Sequence, residues 1–94
     1  MKKSDNKSRI ELYRAFLTIK NISECSDILN DLLTESELNS INQRFTIAKM
    51  LLMGMRYSEI AEATNASTAT ISKVNKVILY GNDGYAKIFE HIQK

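Results

Sequence analysis

Residues 57–76 read YSEIAEATNASTATISKVNK, and this stretch predicts two short helices that cross closely at a tight turn. Ile60 and Ala61 fall on the inner face of the first helix, and the small alanine permits a close helix crossing. Ile71 and Val74 fall together on the inner face of the second helix because they are three residues apart. Two apolar inner faces around one turn are typical of a helix-turn-helix.

Residues 64–66, Thr-Asn-Ala, form the predicted turn between these helices. Asn65 can adopt the left-handed conformation that a tight helix–helix turn often needs. Ser67 is a good N-cap for the second helix, because its side-chain oxygen can accept a backbone N–H left unpaired in the first turn. We therefore predict a helix-turn-helix at about residues 57–80, of the kind that reads DNA.

The outward face of the second helix points to DNA binding. It carries only small, hydroxyl or cationic side chains, namely Ala69, Ser72, Lys73 and Lys76. No acidic residue occurs between positions 63 and 82. A helix in the major groove needs small residues for close approach, polar and cationic groups for phosphates and base edges, and no repelling carboxylate. The alternative interpretation is an ordinary helical hairpin with a solvated polar face.

Seven residues are predicted to contact DNA: Ser67, Thr68, Ala69, Thr70, Ser72, Lys73 and Lys76. The capped helix end can hold a phosphate with its free N–H groups. Thr68, Ala69 and Ser72 are expected near base edges, where the alanine can touch a thymine methyl group. The two helix lysines are expected to bind phosphates or guanine. Further phosphate contacts are expected from three lysines of a flexible basic arm at residues 1–7: Lys2, Lys3 and Lys7.

Length and composition predict a single all-α domain over residues 8–94, with about six helices around the central helix-turn-helix. The chain has 94 residues, 44% of them hydrophobic, with three glycines and no proline. No apolar run approaches the roughly 20 residues of a membrane helix, and the lysine-bearing N-terminus lacks the apolar stretch of a signal peptide. Cys25 is the sole cysteine, so a reduced, cytoplasmic protein without an internal disulfide is expected.

The net charge of +2 is low for a nucleic-acid-binding protein, but the charges are unevenly distributed. Residues 1–20 carry six bases and two acids, whereas residues 21–43 carry five acids and no base. Residues 44–94 carry seven bases and four acids. We expect the acidic segment to face away from DNA, although charge blocks of this size are also typical of solvated helix faces.

Four further helices are predicted around the motif. The first runs from about Arg9 to Lys20, and Ser23 caps a second that continues through Leu33. Residues 34–37, Thr-Glu-Ser-Glu, form a capping box that opens the longest helix, which ends before Gly54. The turn signal GNDG at 81–84 precedes a last helix over residues 85–93.

The longest helix has an apolar surface that widens toward its C-terminal end. Ile47, Met50, Leu51 and Met53 add to a stripe that already spans the helix. Two interpretations remain open, a dimer interface or a monomeric core in which methionines fill gaps. DNA binding favours the dimer, because a two-fold dimer places two reading helices about one DNA turn apart.

With the helices in this order, the chain resembles the tryptophan repressor superfamily, and more closely its bacterial branch labelled YerC/YecD. The resemblance covers roughly Leu12 to Ile92. It is carried by Leu33-Thr34, Gln43-Arg44, Leu51-Leu52 with Gly54, ASTATIS at 66–72 and YGNDGY at 80–85. The superfamily implies an interlocked, all-helical homodimer that binds double-stranded operator DNA and represses transcription.

The resemblance also implies an effector pocket, which in the repressor holds free tryptophan between the long helix and the reading helix. Arg44 matches one of two arginines that sandwich the indole, but Lys73 stands at the second position and lacks a flat guanidinium. Val74 replaces a glycine that leaves room for the ligand, and Val77 replaces a serine that helps hold its amino group. We expect these valines to fill the pocket and prevent tryptophan binding. Arg44 is then structural or serves another small-molecule effector.

No residue set in the sequence suggests an enzyme, a cofactor or a metal site. Cys25 lies on an apolar helix side and is expected to be a buried small hydrophobic residue. His91 is the only histidine and lacks ligands at metal spacing. Glu59 and Glu62 are expected on a solvated face. A protein-interaction module with weak or vestigial DNA binding, and a repressor controlled by an effector other than tryptophan, are the alternative functions.

Overall fold

The computed structural model describes residues 7–92. Its helices are α1 (Lys7–Phe16), α2 (Ile22–Leu32), α3 (Glu35–Leu52), α4 (Tyr57–Thr64), α5 (Thr68–Tyr80) and α6 (Gly84–Ile92). The prediction of an all-α chain with about six helices is confirmed. The predicted arm lies outside the described residues except for Lys7, which begins α1. The chain divides after Glu35 into two compact units, and the single domain over residues 8–94 stays a prediction.

In the first unit, α1 ends earlier than the sequence predicted. The predicted end was Lys20, whereas the helix ends at Phe16. The N–H and the hydroxyl of Thr18 both donate to the carbonyl oxygen of Ala15, at 3.1 and 2.7 Å. A threonine that bonds to the backbone three residues earlier competes with continued α-helix, which accounts for the early end.

The cap of α2 also differs from the prediction, which placed it at Ser23. The N-cap is Asn21, whose side-chain oxygen accepts the N–H of Glu24 at 2.8 Å. Asparagine and serine cap equally well, so the choice depends on where the chain leaves the extended conformation. Asn21 is extended, with φ −153° and ψ 171°, and the helix therefore starts two residues early.

In the second unit, α3 ends at Leu52, and Gly54 terminates it as predicted. The Met55 N–H donates to the Met50 carbonyl at 3.1 Å, and the Gly54 N–H donates to the Leu51 carbonyl at 3.0 Å. This pair of bonds forms the Schellman motif, in which the residue just after the C-cap adopts a left-handed conformation. Gly54 supplies it with φ +82°. The chain then turns directly into α4.

The core of the second unit joins α3, α4, α5 and α6. Its buried side chains are Ile47, Ala48, Ile60, Ala66, Ile71, Val74 and Phe89. Ile60 and Ile71, both predicted on the inner faces of the motif, are completely buried. Phe45 of α3 packs against Phe89 with ring centroids 4.7 Å apart. The helix-turn-helix is thus fixed to the rest of this unit by apolar contacts on its inner side.

The left-handed Asn65 yields a prediction for the turn. Its φ of 59° and ψ of 17° confirm the conformation expected from the sequence. We expect Asn65→Ala to lower the free energy of unfolding by about 1–2 kcal/mol, because a Cβ without a compensating polar group disfavours this region. Asn65→Gly should be close to neutral. Urea denaturation measures both, and equal losses for alanine and glycine would contradict this explanation.

Candidate nucleic-acid interface

The N-terminal end of α5 is capped as predicted. The Ser67 side-chain oxygen accepts the N–H of Thr70 at 3.1 Å, and the two hydroxyl oxygens of these residues also lie 3.1 Å apart. The Ser67 carbonyl accepts the N–H of Ile71 at 3.1 Å and so starts the helical ladder. The N–H groups of Thr68 and Ala69 have no partner within the helix, since they belong to its first turn. This end of α5 can therefore donate hydrogen bonds to an anion.

The turn before α5 is held by short-range hydrogen bonds. The Thr64 hydroxyl donates to the Ile60 carbonyl at 2.8 Å and accepts the Ala66 N–H at 3.3 Å. The Asn65 N–H donates to the Ala61 carbonyl at 2.9 Å. Each residue of the turn thus has a bond to the end of α4. These short-range bonds restrain the turn from which α5 begins.

The outer face of α5 is accessible. Exposed residues at the predicted contact positions are Ser67, Thr68, Ala69, Lys73 and Lys76. The remaining two, Thr70 and Ser72, are half-buried. Between residues 7 and 92, no carboxylate pairs with either lysine, so both ammonium groups can bind an external anion. The fold therefore presents the predicted residues together on one surface of the second unit.

A cavity of about 380 Å³ lies beside α5, and residues of α3 and α6 also line it. It is lined by Arg44, Thr70, Lys73, Val74, Lys76, Val77 and Tyr85. Val74 is buried in the core, but Val77 is 52% exposed, so space remains between the helices. Tyr85 of α6 also lines the cavity. Residue spacing along α3 and α5 could not predict this contribution from another helix. The effector-pocket residue Arg44 thus lines the same cavity as two of the predicted DNA-contacting lysines.

The other candidate residues are not among those that form this surface. Cys25 is a half-buried free thiol in α2, and His91 is exposed near the end of α6. Glu59 accepts the Arg56 N–H at 3.0 Å and lies 3.9 Å from the Arg56 guanidinium, which gives it a local role at the start of α4. Glu62 is exposed. Among the described residues, no group of three or more histidine, cysteine or acidic side chains is placed to hold a metal ion.

None of the helices between residues 7 and 92 combines the length and apolar character required to cross a membrane.

Comparisons with known proteins identify close relatives over nearly the whole chain. The family model for the Trp repressor protein matches residues 8–93. The uncharacterized protein YerC of Bacillus subtilis (strain 168) is 38% identical over 84 residues, which are 89% of this chain and 81% of YerC. The crystal structure of a TrpR-like protein from Eubacterium eligens ATCC 27750 superposes with a TM-score of 0.90 at 44% identity. That match covers 97% of this chain and 94% of the other.

A second solved structure, of a proposed Trp repressor from Staphylococcus aureus, gives the same TM-score of 0.90 at 38% identity. It covers 97% of this chain and 91% of its own. The resemblance inferred from the sequence, including the YerC branch, is confirmed by these matches.

Proposed function

The chain belongs to the Trp repressor family, and on that premise we propose that it is a sequence-specific repressor that binds operator DNA as a homodimer. Membership of this family indicates a DNA-binding transcription regulator rather than an enzyme. The reading element is α5, which enters the major groove in the manner of other helix-turn-helix proteins. Its N-terminal end approaches a phosphate, and its outer face approaches the base edges.

The observation that carries this proposal is the exposed, acid-free face of a capped and rigidly supported helix. Lys73 and Lys76 are exposed and unpaired within the described chain, while Ile71 and Val74 bury the opposite side. Because apolar packing already holds the helix in place, DNA binding does not have to order its backbone, and this lowers the entropic cost of binding. Close approach is possible because Ala69, on the outer face, is small.

Dimerisation is supported by the apolar surface that one chain leaves exposed. No residue of α1 or α2 is buried. Large apolar side chains are exposed in the first unit, namely Leu12, Tyr13, Phe16, Leu17, Ile22 and Leu32. Two short helices of 10 and 11 residues are marginal without an apolar partner surface. A second copy would cover these side chains and place two α5 helices on one DNA duplex.

Selection of random-sequence DNA duplexes by the purified chain, at about 0.15 M salt, tests the proposal. We expect an enriched sequence with two-fold symmetry and two half-sites about one helical turn apart. Retention of duplexes without any shared sequence would contradict specific reading. A monomeric chain that retains no DNA would favour the alternative of a protein-interaction module, which would dock through the exposed Leu52 and Met53 at the end of α3.

A second candidate function is control by a small anionic effector, which the 380 Å³ cavity favours. Three cationic side chains, those of Arg44, Lys73 and Lys76, line it, and none of the lining residues is acidic. Its volume lies within the range of small-molecule sites, about 300–1,000 Å³. An effector there would contact α3 and α5 at once, and would therefore affect the DNA-reading helix.

The cavity gives a prediction for ligands. We expect tryptophan at about 1 mM to leave the melting temperature unchanged within about 1 °C, because Val77 replaces the polar partner of its amino group and Lys73 replaces a guanidinium that would stack on its ring. A dicarboxylate or phosphorylated compound present at one hundred times its Kd should raise the melting temperature by about 10–20 °C. Arg44→Met should remove that increase. A clear increase with tryptophan itself would overturn the expected loss of the tryptophan site.

A further inference from the structure

The Gln43 side chain makes a hydrogen bond between α3 and the helix-turn-helix. Its Nε2 donates to the carbonyl oxygen of Thr64 at 3.1 Å, and the bond is partly buried. The two residues are 21 positions apart in the sequence, and both belong to the second unit. Thr64 is the last residue of α4, so its carbonyl is among those that a helix leaves without an intrahelical partner. Gln43 therefore satisfies a polar group at the end of α4 from a different helix.

This bond acts on the residue from which the turn is built. The Thr64 hydroxyl already bonds to the Ile60 carbonyl and the Ala66 N–H, at 2.8 and 3.3 Å. With the Gln43 bond, both the side chain and the carbonyl of Thr64 are held. The next residue is Asn65, in the left-handed conformation. A fixed peptide plane between Thr64 and Asn65 limits rotation where the chain changes direction toward α5.

We infer that Gln43 is a positioning residue for DNA recognition, which holds the α4–α5 turn against α3 and so sets the direction of the reading helix. The base-reading face starts at Thr68, only four residues after the Thr64 carbonyl. A rotation at the turn therefore displaces the whole outer face of α5. The bond is local in extent, so its loss changes the geometry of the turn more than the stability of the apolar core.

Arg44, the residue after Gln43, also places α3 next to the helix-turn-helix. Gln43 is bonded to the end of α4, whereas Arg44 lines the cavity with Lys73 and Val77 of α5. Of two consecutive α3 residues, one thus bonds to α4 and the next lines a cavity shared with α5. Apolar packing by Ile47 and Ile71 holds the helices together but leaves small rotations possible. A directional hydrogen bond at the turn restricts those rotations.

The experiment compares Gln43→Met, which keeps the side-chain length but removes the donor, with Asn39→Leu as a matched control. Asn39 lies one helical turn earlier on α3 and lines a polar groove together with Gln43 and Thr64, so this substitution also removes an amide from the groove. Native-state amide hydrogen exchange is measured at Asn65 and Ala66 of the turn and at Ile47 and Ile71 of the core. The ratio of specific to non-specific DNA affinity is measured for each variant.

For Gln43→Met, we expect exchange at the turn amides to accelerate about three- to tenfold, the range that corresponds to one hydrogen bond, with core exchange unchanged. The DNA affinity ratio should fall by a similar factor, and Asn39→Leu should change neither quantity. Equal acceleration at turn and core would mean that Gln43 only contributes to global stability. Accelerated turn exchange with an unchanged affinity ratio would also overturn the inference.

The DNA readout rests on the proposed function, but the exchange readout does not. If the unsubstituted chain binds no specific DNA, the proposed function fails, and turn exchange alone decides whether Gln43 holds the turn. Gln43→Lys provides a rescue test, since a lysine at this position can again donate to the Thr64 carbonyl. Restored protection of the turn amides is expected, and absence of restoration would show that a donor at position 43 is not the cause.

Discussion

Simultaneous Lys73→Ala and Lys76→Ala substitution is expected to weaken DNA binding strongly at physiological salt. Each lysine is exposed on the outer face of α5, and a dimer carries four such groups on one duplex. Each lost phosphate contact reduces the slope of log K against log salt by about 0.9, so the slope should fall by about 3.6. At about 0.15 M salt this corresponds to a loss of affinity of about two to three orders of magnitude. Affinity measured across a salt series tests this expectation.

The matched control removes two lysines that lie on other helices of the same unit. Lys49 of α3 and Lys87 of α6 are both exposed, so Lys49→Ala with Lys87→Ala produces the same change in net charge. We expect the control pair to change the slope of log K against log salt by less than about 0.9, which is the value for one phosphate contact. If both pairs reduce the slope equally, binding depends on total charge, and α5 is not the element that meets the phosphates.

Leu17→Asp is expected to dissociate the proposed dimer. Leu17 follows α1 and is 84% exposed in one chain, so in a monomer this substitution should change stability by no more than about 0.5 kcal/mol. If the second copy buries Leu17, the dimer loses about 1.5–3 kcal/mol of apolar burial per chain and must also desolvate a carboxylate. The dissociation constant of the dimer should then rise at least about 100-fold. Analytical ultracentrifugation measures the change directly.

Lys20→Asp serves as the control for a carboxylate placed after α1, and it lowers the net charge by two units where Leu17→Asp lowers it by one. Lys20 is exposed and polar, and its replacement introduces the same carboxylate three residues further along. We expect this variant to remain a dimer of about twice the 10.7 kDa chain mass. Equal dimer dissociation constants for Leu17→Asp and the unsubstituted chain would show that the exposed surface after α1 is not an interface. If Leu17→Asp dissociates the dimer, this variant should also lose specific DNA binding.

The local features of the motif were predictable because they depend on neighbouring residues. The capping role of Ser67 and the left-handed conformation of Asn65 each follow from side-chain and backbone atoms within four residues. The same holds for Gly54, whose positive φ closes the end of α3. Helical spacing likewise placed Ile60 and Ile71 inside the fold, where both are completely buried.

The predictions that were wrong involve competition between equally good local signals. Asn21 and Ser23 are both strong capping residues, and only the extended backbone at Asn21 shows where α2 begins. Similarly, the apolar spacing of α1 continues past Phe16, but the Thr18 side chain bonds to the Ala15 carbonyl and the helix ends there. Residue preferences do not distinguish such alternatives, because they differ by only a fraction of a kcal/mol.

By itself, the sequence determined the helical class, the helix-turn-helix, the cap of α5 and the family, since all of these depend on spacing and chemistry along the chain. Only the tertiary structure decided that Gln43 reaches the Thr64 carbonyl across 21 positions, and that Arg44 shares a cavity with Lys73 and Tyr85. Those contacts depend on the angle and distance at which helices cross. The packing of many side chains together sets that geometry, and no short segment encodes it.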